Sequence, residues 1–283
     1  RSLRDWSSDV CSSDLQVDID TGLTIEIRYL IATATTPECK NMIRLFFAIT
    51  EAGKGAGRPK DIPIATLTKV GVLGAGMMGA GIAYVTAMAG LDVVLLDMQQ
   101  AGADKGKAHA EDLIKKRVSR RRMDKDKGEA TLARIHATTD FAELAGCELV
   151  IEAVFEDRAI KADVTQKTLA VTGDGITFAS NTSTLPITGL AGASSRPDNF
   201  IGLHFFSPVD RMPLVEIIMG KETGDGALAV AIDYVKAIRK TPIVVNDSRG
   251  FYTSRVFGTY VREGLALLAD GVAPALIENA GKM

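Results

Sequence analysis

An apolar run, Lys69-Val-Gly-Val-Leu73, breaks directly into closely spaced glycines at Gly74, Gly76 and Gly79. The spacing fits Gly-x-Gly-x-x-Gly, in which a strand turns sharply, the backbone closes on a pyrophosphate, and a helix starts against the sheet. Met77 and Met78 fall on the first turn of that helix, where free backbone N–H groups face a bound anion. A second apolar run, Leu91 to Leu96, ends in Asp97, about 20 residues on, where a carboxylate bonds ribose hydroxyls. Glycines alone mark many flexible turns; strand, glycines, alanine-rich helix, strand and acid in order point to dinucleotide binding. Asp97 would repel a 2′-phosphate and Met98 offers no cation, so the order favours NAD over NADP.

The rest of the chain supports one α/β unit around this motif. Glu148 to Val154 and Thr177 to Ser180 read as buried strands, the latter running into Asn181, Thr182, Ser183 and Thr184 at its carboxyl end. Strands alternating with helices predict a doubly wound, Rossmann-type, mostly parallel sheet whose ligands lie at the carboxyl ends of the strands. We expect this unit to span residues 64–248. Apolar residues at helical spacing before it (Leu23, Ile27, Leu30 and Ile31, then Met42, Leu45, Phe46 and Ile49) predict two helices in residues 16–63. These end in a Gly, Lys and Pro mixture read as a linker. After it, residues 249–283 read as the start of a helical domain cut short in mid-pattern. Residues 1–15 lack any periodicity and repeat Ser-Ser-Asp; Val10 to Leu15 can be encoded by the end of a common sequencing adaptor, so a translated scar is the reading there.

Composition narrows the partners. A net charge of -2 over 283 residues gives no general basic field for nucleic acid, and no apolar run reaches a membrane span. Three cysteines, Cys11, Cys39 and Cys147, are scattered and odd in number, which argues against a metal site or disulfide framework and for a reducing, cytoplasmic-type compartment. No metal is expected. The basic cluster Lys115, Lys116, Arg117, Arg120, Arg121 and Arg122 is either a solvated helix face or a contact for the phosphates of a nucleotide-tailed substrate.

The chemistry is carried by Phe200 to Ile218, where two apolar runs flank a turn-like Ser-Pro-Val-Asp-Arg-Met-Pro. If the turn centres on Asp210, His204 and Glu216 face one another across an antiparallel pair. An imidazole held by a carboxylate is a ready general base, and alcohol oxidation needs one beside a hydride acceptor. His109 and His136 read as surface residues without an evident carboxylate partner.

Together these residues resemble the 3-hydroxyacyl-CoA dehydrogenase family, most closely the dehydrogenase part of the multifunctional fatty-acid oxidation α subunit. The motifs are Val72 to Gly79, Ile151-Glu-Ala-Val154, Ser180-Asn-Thr-Ser183, Gly202-Leu-His-Phe-Phe-Ser-Pro208 and Pro213-Leu-Val-Glu216. The resemblance implies His204 as catalytic base, Glu216 as its partner, and Ser183 near the reacting hydroxyl. It also implies that Asp97, Glu156 and Lys161 help hold NAD, that an acyl-CoA is the substrate, and that residues 16–63 are the last helices and linker of a preceding hydratase domain. A homo-oligomer, or a complex with a thiolase subunit, is implied for the full-length protein. Many members carry Asn where this chain has Ser207 and Ser254; a hydroxyl can still donate and accept at these substrate-facing positions. Two further readings stay open: a dinucleotide-binding module without catalysis, and a dehydrogenase for 3-hydroxybutyryl-CoA or free hydroxy acids.

Overall fold

In the computed structural model, which describes residues 16–282, these residues divide into two units, 16–54 and 55–282. The possible scar at residues 1–15 lies outside the described residues.

The first unit consists of α1 (Ile19–Ala34) and α2 (Pro37–Gly53). Asp18 caps α1 by accepting from the Thr21 N–H, Thr36 caps α2 through Cys39 N–H, and Pro37 sits at the first turn of α2, where its missing donor costs nothing. The periodic apolar residues expected here do form helices, but Leu23, Ile27, Leu30, Met42, Leu45 and Phe46 all stay exposed.

The second unit is built on eight strands in the order β3-β2-β1-β4-β5-β6-β7-β8. They are β1 (Lys69–Leu73), β2 (Asp92–Leu96), β3 (Ile135–Thr138), β4 (Leu149–Glu152), β5 (Thr177–Ser180), β6 (Phe200–Phe205), β7 (Leu214–Met219) and β8 (Thr241–Asn246). The first six run parallel; β7 pairs antiparallel with β6, and β8 runs parallel to β7. This is the mostly parallel, Rossmann-type α/β sheet expected from the strand and helix alternation.

Both faces are covered. In β1, β2 and β4, Val70, Val72, Val93, Leu95, Leu149 and Ile151 join one core, whereas Leu73, Val94, Leu96 and Val150 join the other, following the two-residue alternation of a strand. Crossover helices α3 (Met77–Met88), α4 (Gln100–Ser119), α5 (Lys125–Ala133), α6 (Arg158–Thr172) and α7 (Ile187–Ala191) alternate with the parallel strands. Helix α8 (Asp225–Ala237) joins β7 to β8, and α9 (Thr253–Ala269) and α10 (Pro274–Ala280) follow. No helix among the described residues is long and apolar enough to cross a membrane.

Three local readings change. Residues 55–65 do not behave as a free linker: Arg58 grips Asp233 on α8 through Nε and Nη2 at 2.7 and 2.8 Å and also donates to the carbonyls of Pro59, Ile62 and Pro63. The sheet unit therefore begins before the expected boundary. Residues 249–282 group with the same unit, whose second core takes in Phe251 at 1% exposed. The polar stretch after Asp97 conceals edge strand β3, on which His136 lies 2.5 Å from Glu143, so this histidine does have a carboxylate partner.

Candidate active site

At the carboxyl end of β1 the chain reverses through Gly74, whose φ of +91° is the left-handed region that side chains avoid. A Cβ there would also lie 2.7 Å from the Ala153 carbonyl oxygen on the strand-end segment after β4. Gly79 is needed for contact: its Cβ would lie 1.7 Å from the Gly74 oxygen, so α3 could not pack on the turn that feeds it. Gly76 caps α3 with exposed backbone and no side-chain hydrogen bond, which leaves the first-turn N–H groups to an outside acceptor.

Asp97 ends β2 beside this turn. Its Oδ2 accepts the Ala75 N–H at 2.8 Å, which ties the acid to the glycine loop at the place expected for a ribose-binding carboxylate. Met77 is exposed, whereas Met78 packs partly buried against the first core, so its side chain serves the fold and its backbone the turn.

Four strands away, His204 and Glu216 are register partners across β6 and β7. His204 Nδ1 lies 2.7 Å from Glu216 Oε2; the histidine is 6% exposed and the glutamate fully buried. Burial alone would raise the Glu216 carboxyl, but hydrogen bonds from His204 and from Thr253 outweigh it and hold the group below the usual carboxylate range. The rings of Phe206 and Phe251 lie 4.6 and 5.9 Å from the imidazole. The loop after β6 packs on α3 beside the glycine turn: the Ser207 hydroxyl points at Met77 Sδ across 3.7 Å, and Val209 lies where a side chain on Gly81 would be.

The tip after β5 is built by Glu156. Its Oε1 accepts the hydroxyls of Thr182 and Thr184 and the N–H groups of Ser183 and Thr184 at 2.6–3.2 Å. Desolvation pushes this carboxyl up, and the Thr182 hydroxyl, Lys161 and the loop amides pull it further down, to a net value below the ordinary one. Lys161 is 2% exposed and lies 2.7 Å from Glu152 and 3.3 Å from Glu156. Of the two residues expected to help hold NAD, Glu156 shapes the tip through Oε1 with its side chain 38% exposed, and Lys161 is buried behind it. Ser183 itself stays exposed on that tip.

The basic cluster lies apart from the dyad. Lys116, Arg117, Arg120, Arg121 and Lys240 line a groove of about 1130 Å³. Lys115 does not line it and instead pairs with Glu111 at 2.6 Å along α4. Ser254 is exposed in the first turn of α9.

Sequence reasoning gave no role of their own to three contributors, naming Asn181 and Glu152 only within longer motifs. Thr253 donates to Glu216, Asn181 Oδ1 accepts the Phe205 N–H at 2.9 Å beside His204, and Glu152 accepts from Lys161 and, at 2.7 Å, from the Ser180 hydroxyl. An amide or acid at the end of a buried strand was the available signal for the last two.

A doubly wound sheet with an open phosphate-type turn at one strand end and a buried imidazole–carboxylate pair at another defines a dinucleotide-dependent dehydrogenase. Residues 69–248 match the family model described as 3-hydroxyacyl-CoA dehydrogenase, NAD binding domain. The chain belongs to this family of NAD-dependent oxidoreductases. It is similar to the crystal structure of (S)-3-hydroxybutyryl-CoA dehydrogenase from Ralstonia eutropha, at 36% identity and a TM-score of 0.72, covering 74% of each chain. A 3-hydroxybutyryl-CoA dehydrogenase from Escherichia coli K12 is similar at 31% identity and a TM-score of 0.72, over 74% of this chain and 44% of that one. The dehydrogenase part of multifunctional enzyme 1 from C. elegans is similar at 26% identity and a TM-score of 0.63, over 75% of this chain and 48% of that one.

Proposed function

We propose that this chain oxidises a (3S)-3-hydroxyacyl-CoA to the 3-oxoacyl-CoA, with His204 as general base and Glu216 as its partner. The observation that carries the reading is the 2.7 Å contact between His204 Nδ1 and buried Glu216 Oε2, on two strands joined by the loop whose Ser207 meets Met77 at the start of α3. With Glu216 held as a carboxylate, Nδ1 keeps its proton as donor and Nε2 is left with the lone pair that takes the proton of the substrate hydroxyl. NAD, when bound, supplies the hydride acceptor. The Gly74–Gly79 turn and the first N–H groups of α3 would hold its pyrophosphate, and Asp97 its ribose; the open backbone at Gly76 fits such a group.

Ser183, exposed on the tip that Glu156 shapes, is assigned to the reacting hydroxyl, and Ser207 and Ser254 to the substrate. The Arg120 groove is assigned to the phosphates of the CoA tail, supported by its clustered cations. Resemblance to the multifunctional enzymes supports a role in fatty-acid β-oxidation, with an oligomeric or thiolase-associated full-length protein; the scattered, odd-numbered cysteines support a cytoplasmic-type compartment. A second reading, a short-chain 3-hydroxybutyryl-CoA dehydrogenase, is favoured by the names of two similar structures.

Acetoacetyl-CoA and NADH given to the protein test the reaction in reverse. NADH oxidation that is lost in His204→Ala supports the assignment, and equal rates for the two proteins sink it. Comparing acetoacetyl-CoA with long-chain 3-oxoacyl-CoA separates the two substrate readings.

A further inference from the structure

We propose that Thr253 is a positioning residue for the base, its hydroxyl fixing the same Glu216 oxygen that His204 uses; this rests on the function proposed above. Thr253 Oγ1 donates to Glu216 Oε2 at 2.7 Å, and His204 Nδ1 meets that oxygen at 2.7 Å. The other oxygen, Oε1, accepts the Thr253 N–H at 2.8 Å and the Tyr252 N–H at 3.1 Å. Three of the four donors to this carboxylate therefore come from one turn, residues 252–253 at the start of α9.

The arrangement solves two problems together. Helix α9 has no side-chain cap of its own, and its opening amides are satisfied by Glu216 reaching from β7. Conversely, a glutamate carboxylate turns freely about its last bond, in a broad, roughly two-fold well. Two amides fix where the group sits, and the Thr253 hydroxyl fixes which way Oε2 points, and with it the ring plane of His204. The turn is held in place by Phe251, 1% exposed with a φ of +48°. On the other side, the register partner of Glu216 on β8 is Ile243, which brings no charge, so the ionisable partner at hydrogen-bond distance is His204 on β6.

Thr253→Val removes the hydroxyl at nearly constant shape, and Thr253→Ser keeps it. Two readouts separate positioning from mere packing: kcat against KM for the hydroxyacyl-CoA with NAD, and the titration of the Glu216 carboxyl followed by 13C NMR. For Thr253→Val we expect kcat to fall about tenfold, as for loss of one hydrogen bond to a charged group, with KM unchanged. The Glu216 carboxyl should titrate at higher pH, because one donor that favours its charged form has gone. Thr253→Ser should restore both. Should Thr253→Val lose its circular-dichroism signature, Thr253→Ala is read in its place. Wild-type kcat and an unmoved Glu216 titration in the folded variant overturn the proposal, as does a serine that restores neither. If the wild-type protein itself shows no turnover, the functional reading fails alone, and the carboxyl titration still decides the role of Thr253.

Discussion

Lys161 reaches Glu152 across 2.7 Å, with only 3% and 1% of the two side chains exposed, in the layer that supports the ligand-facing ends of β4 and β5. Through its second contact, with Glu156, the same ammonium braces the tip that carries Ser183. Removing one partner of such a pair leaves an uncompensated buried charge. Lys161→Met should therefore cost about 3–5 kcal/mol in urea unfolding, and Lys161→Met with Glu152→Leu should recover part of that. A single variant within 1 kcal/mol of wild type would mean that water reaches the pair.

Glu216→Gln tests the base more gently than removing the imidazole. The amide keeps the size of the carboxylate but cannot stabilise the imidazolium, so kcat should fall by about 10²–10⁴ at unchanged KM, the range for positioned acid–base groups. A drop confined to KM would move Glu216 from the chemistry to substrate binding.

Much of this dyad was legible because a hairpin is a local structure. Counting outward from Asp210 pairs His204 with Glu216, and the register is the one found. The glycine turn was legible for the same reason. What stayed hidden depends on burial and on contacts distant in sequence. The sequence does not show that one carboxylate oxygen of Glu156 is taken up by loop amides or that the amine of Lys161 is enclosed. Strand β3 is four residues at the sheet edge, Ile135-His-Ala-Thr138, too short and polar for its alternation to stand out. Arg58 lies in a stretch with the composition of a linker, and its partner Asp233 is 175 positions away.

Acid should loosen the site at two points. Glu156 and Glu216 both titrate below the ordinary glutamate range when folded. A depressed carboxyl contributes stability that is fully present above its unfolded value, about 4.3, and is lost as pH falls through the lower folded value. Unfolding midpoints should thus be insensitive to these groups near neutrality and decline below about pH 4.3. Thr182→Val, which removes the shortest bond to Glu156, should narrow that window from below: the decline still begins near the unfolded value but ends at a higher folded one, so less stability is lost in total. An identical pH dependence in the variant would show the bond to be energetically silent.

If the Arg120 groove takes a phosphate-bearing tail, neutralising Lys116, Arg117, Arg120 and Arg121 to Gln should raise KM for the CoA thioester by tenfold or more in aggregate, on the order of 0.5–1 kcal/mol for each exposed charge. Added salt should raise KM in the wild type and much less in the variant. Lys115→Gln, tested separately, should do nothing, because that amine is turned to Glu111 outside the groove. Equal KM values across all three proteins would leave the cluster as a solvated helix face.

The glycines of the turn should fail in different ways, and the difference separates folding from binding. Gly79→Ala places a methyl 1.7 Å from the Gly74 oxygen, a contact between two backbones that no side-chain motion relieves. Strand β1 and helix α3 must then part, so loss of the cooperative unfolding transition is the expected outcome. Gly76 has a φ of -64° and nothing within 4 Å of the added carbon, so Gly76→Ala should fold with a melting temperature within a few degrees of wild type. The methyl would nevertheless stand over the exposed backbone that a pyrophosphate has to approach. Calorimetry should then show NAD affinity reduced at least tenfold in a protein of normal stability, and full affinity in Gly76→Ala would place the pyrophosphate elsewhere than on this turn.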